Sequence, residues 1–239
     1  MREPEVISAY VADIAGKLDF DPSLSRRVRQ EVEDHLWESM SASSTTDGFT
    51  RAQEVIARFG DANTLAAEFA TVWLADQARK LSTASVLLLL GLLVIMKARL
   101  AWYGFAQWTL ADEVRAVGLT VGLVDAYAFW LAVGFAVAGW GLMFSHRVAA
   151  SCKAQCQRIR CVVYLTSAST FALMVSAACD VALTVLRLVG RDFSAQALIP
   201  IASVAAESAL IGVLILKIGS LASSIPRATA LMEPYTLRR

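Results

Sequence analysis

The chain predicts an all-α protein: a small cytosolic four-helix domain over residues 1–80, followed by a four-helix transmembrane bundle over residues 81–220. Three observations carry this reading. Hydrophobic side chains make up 56% of the 239 residues, against roughly 45–50% in soluble globular proteins, and the excess sits almost entirely after residue 80. The run LSTASVLLLLGLLVIM, Leu81 to Met96, is the first that water solvates poorly and a bilayer accepts. Charge divides at the same place. Residues 1–80 hold 9 Lys+Arg against 14 Asp+Glu, a formal −5, and residues 81–239 hold 13 against 7, or +6.

In the first part, Ile7, Tyr10, Val11, Ile14 and Leu18 recur at helical spacing and predict an amphipathic first helix. Asp21-Pro22 punctuates, with Asp21 as N-cap and proline at the first helical position, where a missing N–H costs nothing. Leu24, Val28, Val32, Leu36 and Met40 then form one apolar stripe. Ser41 to Gly48 is a polar loop. Thr50 and Gln53 read as a capping box opening a third helix with Val55, Ile56 and Phe59 inward. Gly60 closes it, since glycine takes a left-handed cap without penalty. Asp61 opens a fourth helix with Leu65, Phe69, Val72 and Trp73 inward and runs on through Ala75 to Lys80 toward the first span.

That order of pieces, with RRVRQEVEDHL at Arg26 to Leu36, GFT at Gly48 to Thr50 and ARFGDANTLAAEF at Ala57 to Phe69, resembles the helix-turn-helix-associated alpha-helical signalling (HAAS-type) domain, also met as the prefix domain of some permeases. It covers about the first third of the chain. The serine- and threonine-rich loop before Gly48 departs from the pattern. The resemblance implies a helical signalling or interaction module ahead of membrane helices in a bacterial cytoplasmic membrane, often encoded beside PadR-like transcription regulators. It brings no catalytic residue.

Four spans are expected, at about 81–100, 117–144, 161–186 and 195–216, with a cytosolic tail over 221–239. The amino terminus MREPEVISAY lacks the apolar core of a cleaved signal. Basic residues set the orientation. Arg79, Lys80, Arg147, Lys153, Arg158, Arg160, Lys217, Arg227, Arg238 and Arg239 flank one side; Lys97, Arg99, Arg115, Arg187 and Arg191 flank the other. The positive-inside rule then puts both termini in the cytosol. Lys97 and Arg99 snorkel toward the interface, where Trp102, Tyr103 and Trp108 form an aromatic belt.

Ionisable residues inside apolar spans are expensive and mark functional candidates. Asp125, Asp180 and Glu207 are three such residues. With Lys97, Arg99 and Arg187 they form an expected intramembrane polar cluster that binds a ligand or ion, titrates as a signal, or only pairs across helices to hold their register. Either way the acids face inward. Gly118, Gly122 and Ala126, and on another face Ala128, Ala132 and Ala136, allow close helix approach within one subunit or in a homodimer. In the cytosolic domain Arg26, Glu33 and Trp37 share a polar face. There Trp37 either packs against the first helix or marks a partner contact. His35 falls beside Val28 and Val32 and reads as a hydrogen-bonded core residue.

Cys152 and Cys156, with His146 and Cys161 near, are weak metal or thiol-switch candidates, because C-x3-C-x4-C is not a zinc spacing. The expectation is no metal and no cofactor. No phosphate-binding, dinucleotide, nucleophile-elbow or zinc-protease motif occurs, and two histidines in the whole chain leave little for acid–base chemistry. An enzyme is not expected. The acidic domain argues against direct nucleic-acid binding. Beyond the lipid bilayer, the expected partner is a cytosolic regulatory protein, PadR-like or sigma-type. The reading is a membrane signalling protein; its rival is a small transporter or permease-associated subunit using the intramembrane acids for coupling.

Overall fold

The computed structural model describes residues 3–42, 47–145, 152–188 and 195–236. Among these the structure is all helix, without strands. The helices are α1 (Glu3–Lys17), α2 (Pro22–Ala42), α3 (Gly48–Phe59), α4 (Ala62–Phe105), α5 (Arg115–Phe144), α6 (Cys152–Leu188) and α7 (Leu198–Thr236), with single 3-10 turns at Asp112–Val114 and Ala195–Ala197. α4 to α7 are each long and apolar enough to cross a membrane. Chain contacts divide the molecule into two units, Met1–Asp76 with Ala222–Arg239, and Gln77–Leu221. The sequence predicts instead a boundary at residue 80 and a separate tail. The difference arises because α7 does not stop near Leu216 but stays helical to Thr236, with Ala228 fully buried.

In the first unit α1, α2 and α3 pack on one another. The expected stripe of α2 is buried in full: Leu24, Val28, Val32, Leu36 and Met40. α2 packs on α1, whose Ile7, Val11 and Ile14 are all within 2% of full burial, as is Leu18 in the turn that follows. Ser25 Oγ, on the first turn of α2, donates to Ala15 O at 2.7 Å and fixes how the two helices meet. Tyr10 is only half-buried, because its hydroxyl reaches out to donate to Gly60 O at 2.8 Å. Burial first, then the carboxylates of Asp61 and Asp13, push that phenol above its ordinary 10, so it remains a donor.

Caps decide where the helices begin. Asp21 Oδ1 accepts from Ser23 N at 2.8 Å, Ser23 Oγ at 2.6 Å and Leu24 N at 3.2 Å, which satisfies the first orphan amides of α2. Asp61 does the same for α4, accepting from Asn63 N at 3.1 Å and Thr64 N at 3.2 Å. At α3 the expected capping box is not what forms. The cap is Asp47, whose carboxylate accepts from Thr50 N at 3.2 Å, and Thr50 already lies in the first turn. A carboxylate at the cap position outcompetes a hydroxyl three residues later. Gly60 closes α3 at φ +99°, a conformation that side chains with a Cβ rarely adopt.

Two expected inward residues are exposed. His35 is on the solvent side of α2, with Nδ1 3.5 Å from Glu38 Oε2. The stripe drifts round the helix as it ascends, so at this level the buried position is Leu36, and His35 lies about 100° away from it. Val72 is 68% exposed, and Leu65, Phe69 and Trp73 are half-buried. α4 turns inward a stripe of small residues instead: Ala62, Ala66, Ala70 and Leu74. Small side chains let the backbone come closer than the larger ones would. Trp73 lies across Phe20, edge to face at 5.4 Å, and hydrogen-bonds Asp21.

Burial pushes the Asp21 carboxyl up, but Ser23, the Leu24 and Ser23 amides and Trp73 outweigh it and hold the group below its ordinary 3.8. A carboxyl that is the stronger acid when folded stabilises above its unfolded pKa, and that contribution disappears as pH falls through the folded one. Asp21→Ala is therefore expected to cost about 1 kcal/mol at neutral pH. In strongly acidic solution the gap between variant and parent closes. Denaturant melts followed by tryptophan fluorescence at the two pH values check this.

Candidate functional site

The site is built on the second unit, and α6 is its centre. α5 packs along α6 through small residues: Ala128, Ala132 and Ala136 are buried, and a Cβ on Gly139 would lie 3.6 Å from Leu165 Cβ. Close approach lets Ser169 Oγ donate across to Ala132 O at 2.8 Å. The alanine stripe therefore serves packing within the subunit. The other small-residue face is more open: Ala126 is exposed, Gly122 is half-buried with free space where a Cβ would be, and Gly118 lies under the Leu110 side chain.

One helical face of α6 carries Ser176, Asp180, Thr184 and Arg187 at intervals of three and four, so all are aligned. Asp125 of α5 accepts from Ser176 Oγ. Arg99 of α4 reaches in from another side. Its Nη2 forms an ion pair with Asp180 Oδ2, and its Nη1 lies 3.1 Å from both Glu207 oxygens of α7. Arg99, Asp180 and Glu207 are 3%, 7% and 3% exposed, and Asp125 9%. A guanidinium suits this position because its planar fork engages two carboxylates at once.

The structure thus brings together five of the six intramembrane candidates and leaves one out. Arg99, Asp180 and Glu207 form the network. Arg187 is half-buried at its edge, near enough to act on Asp180, with its guanidinium 4.2 Å from the centre of the Tyr103 ring. Asp125 stands beside Asp180 and has no ion pair among the described residues. Lys97 is exposed on the far face of α4, because two residues along a helix turn a side chain to the opposite side. Arg99 does not snorkel as expected. Two carboxylates inside the bundle hold it there.

The expected aromatic belt is also turned inward. Tyr103 and Trp108 are 5% and 8% exposed and stack at 6.1 Å, with Ala197 buried against them and Trp102, Ala106 and Leu188 packed around. Gln107, at φ 51°, makes the tight turn that folds Trp108 back, and Trp108 N donates to Tyr103 O at 2.9 Å. Tyr103 Oη shares a hydrogen bond of 2.9 Å with Thr184 Oγ1, one turn from Asp180. Tyr103 thus borders the ionic network through Arg187, and Trp108 is stacked on its ring. Their spacing in sequence carries no sign of that, because the turn that reverses the chain is set by a single residue.

In the first unit Arg26 is exposed and donates Nε to Pro22 O at 3.2 Å, Glu33 is half-buried, and Trp37 is 40% exposed. Trp37 therefore lies on the exposed side of α2 and is not enclosed by α1. His146 and the Cys152 side chain lie outside the described residues, as do Arg147, Arg191, Arg238 and Arg239. Cys156 is half-buried, Cys161 exposed, and among the described residues no group of metal-ligating side chains is placed to hold an ion. No protein-family model matches the chain, and neither a curated protein nor a solved structure is similar to it.

Proposed function

We propose that this is a membrane signalling protein of the HAAS type, whose cytosolic helical unit holds a regulatory protein, PadR-like or sigma-type, under control of the membrane helices. The observation that carries the reading is α4. One uninterrupted helix, Ala62–Phe105, supplies Ala66, Ala70 and Leu74 to the core of the first unit and Arg99 to the buried network of the second. The proposed link runs along the chain: the helix that carries Arg99 is the one whose first turns belong to the regulatory unit. The exposed Trp37, with Arg26 and Glu33 on the same face and a net charge of −5 over residues 1–80, supports contact with a basic protein surface. The distribution of basic residues supports placing both termini in the cytosol of a bacterial inner membrane. Burial of three carboxylates among apolar helices supports a second reading, an ion-coupled transporter or permease-associated subunit.

Full-length protein in lipid nanodiscs, used as bait against native cytosol, tests the first reading. The expected result is capture of a DNA-binding regulator by the parent. Trp37→Ala weakens it about 30-fold, equivalent to about 2 kcal/mol for an aromatic anchor. Retention of no cytosolic protein, together with charge-dependent flux in vesicles that Glu207→Gln abolishes, overturns it in favour of transport.

A further inference from the structure

The buried network is unbalanced in charge. The groups that face it are Arg99 and Tyr103 from α4, Asp125 from α5, Cys179, Asp180 and Arg187 from α6, and Glu207 from α7. With phenol and thiol neutral, two guanidinium groups meet three carboxylates, and one negative charge is left over. A surplus charge among apolar helices is costly enough that the group neutralises instead.

Geometry shows where. Glu207 Oε1 is buried and receives no hydrogen bond, although Arg99 Nη1 is 3.1 Å away. Asp180 and Glu207 lie within side-chain hydrogen-bonding reach of each other. Ionised carboxylates only accept. Two of them side by side repel unless one holds a proton, as in carboxyl dyads. Asp125 is set apart from this pair: its hydrogen-bond partner is the Ser176 hydroxyl, and no second carboxyl group lies within hydrogen-bonding reach of it among the described residues.

We infer that Glu207 and Asp180 form a proton-binding site, with one exchangeable proton on Glu207 donated to the Asp180 carboxylate and both groups braced by Arg99. Binding is a simple transfer from hydronium to the Glu207 carboxylate. It leaves the network neutral: Arg99 and Arg187 against Asp125 and Asp180. Loss of the proton puts two adjacent negative charges on one guanidinium and drives α6 and α7 apart at this level. The site names the ligand of the network on which the proposed signalling role rests, and the proton is the signal in that reading.

Infrared spectroscopy of the full-length chain in nanodiscs of phosphatidylethanolamine and phosphatidylglycerol tests it directly. At neutral pH the parent is expected to show the C=O band of a buried protonated carboxyl, shifted by exchange into heavy water. The inference stands only if Glu207→Gln removes the band and Asp125→Asn leaves it; absence of the band in the parent, or its loss in Asp125→Asn, overturns it. A second measurement does not depend on the Glu207 variant's folding. The thermal midpoint of the parent falls as pH rises from the mildly acidic range, where an unfolded carboxyl has already lost its proton while the folded site still holds one, and levels once the site empties. A midpoint that stays level from mildly acidic to alkaline pH overturns the inference as well. Neither measurement involves the cytosolic partner, so the proton site and the signalling role fail separately.

Discussion

Arg99→Leu is expected to cost about 3–5 kcal/mol, the penalty for leaving a buried ion pair without one partner. The side chain is 3% exposed and is the one cation paired with both Asp180 and Glu207 among the described residues. Leucine matches the surrounding apolar helices, so the loss is electrostatic and not one of volume. Two companions make that distinction. Arg99→Lys keeps the charge but loses the fork that engages two carboxylates, and an intermediate loss is expected. The triple variant Arg99→Leu, Asp180→Asn, Glu207→Gln removes the charges together, and most of the stability is expected to return, since replacing an entire buried ionic group is often nearly neutral. Thermal midpoints of the detergent-solubilised chain, read by size-exclusion chromatography after heating, give all three. A triple variant no more stable than Arg99→Leu would show that the guanidinium serves packing.

Leu36→Ala is expected to cost about 2–5 kcal/mol, through the lost transfer energy of the side chain and the cavity that remains. Leu36 is fully buried, in the apolar stripe of the helix that packs against α1 and α3. Domains are stable by only about 5–15 kcal/mol in total, so the effect is a large share. Hydrogen exchange followed by mass spectrometry of the full chain should show α1, α2 and α3 exchanging faster, with protection in α5 and α6 retained. His35→Ala, at the preceding position, is the sharper contrast. A buried histidine would make it costly, whereas the exposed one seen here predicts a change within about 0.5 kcal/mol.

Much of the fold is legible in local pattern. The four-step stripe of α2, the caps at Asp21 and Asp61 and the closure of α3 at Gly60 with positive φ are each set by neighbours within four residues, which a linear reading contains. The same holds for the four apolar helices and the position of Pro200 in the opening of α7. Where two local signals competed, as between Asp47 and Thr50 at the start of α3, hydrogen-bond geometry chose between them. Val72 was misplaced for a different reason. Hydropathy ranks valine above alanine, but the face of α4 that packs closest is the one with the smallest side chains.

The candidate site divides in the same way. That Asp125, Asp180 and Glu207 turn inward follows from the sequence alone, because hydrocarbon tolerates a carboxyl group only where it finds a partner. Which partner each one takes does not follow. Arg99 and Lys97 are two residues apart and equally cationic, yet one is buried between α6 and α7 and the other exposed. Their difference is rotational phase, about half a turn of helix, and phase acquires meaning only when α6 and α7 supply carboxylates at one height. Composition and periodicity determined that this chain is helical, that four helices suit a membrane, and that three acids must be compensated inside them. The pairing of Arg99 with Asp180 and Glu207, the nearness of those two acids, and the contacts of Tyr103 with Thr184 and Arg187 were decided by tertiary packing, because each depends on residues far apart in sequence arriving at the same point.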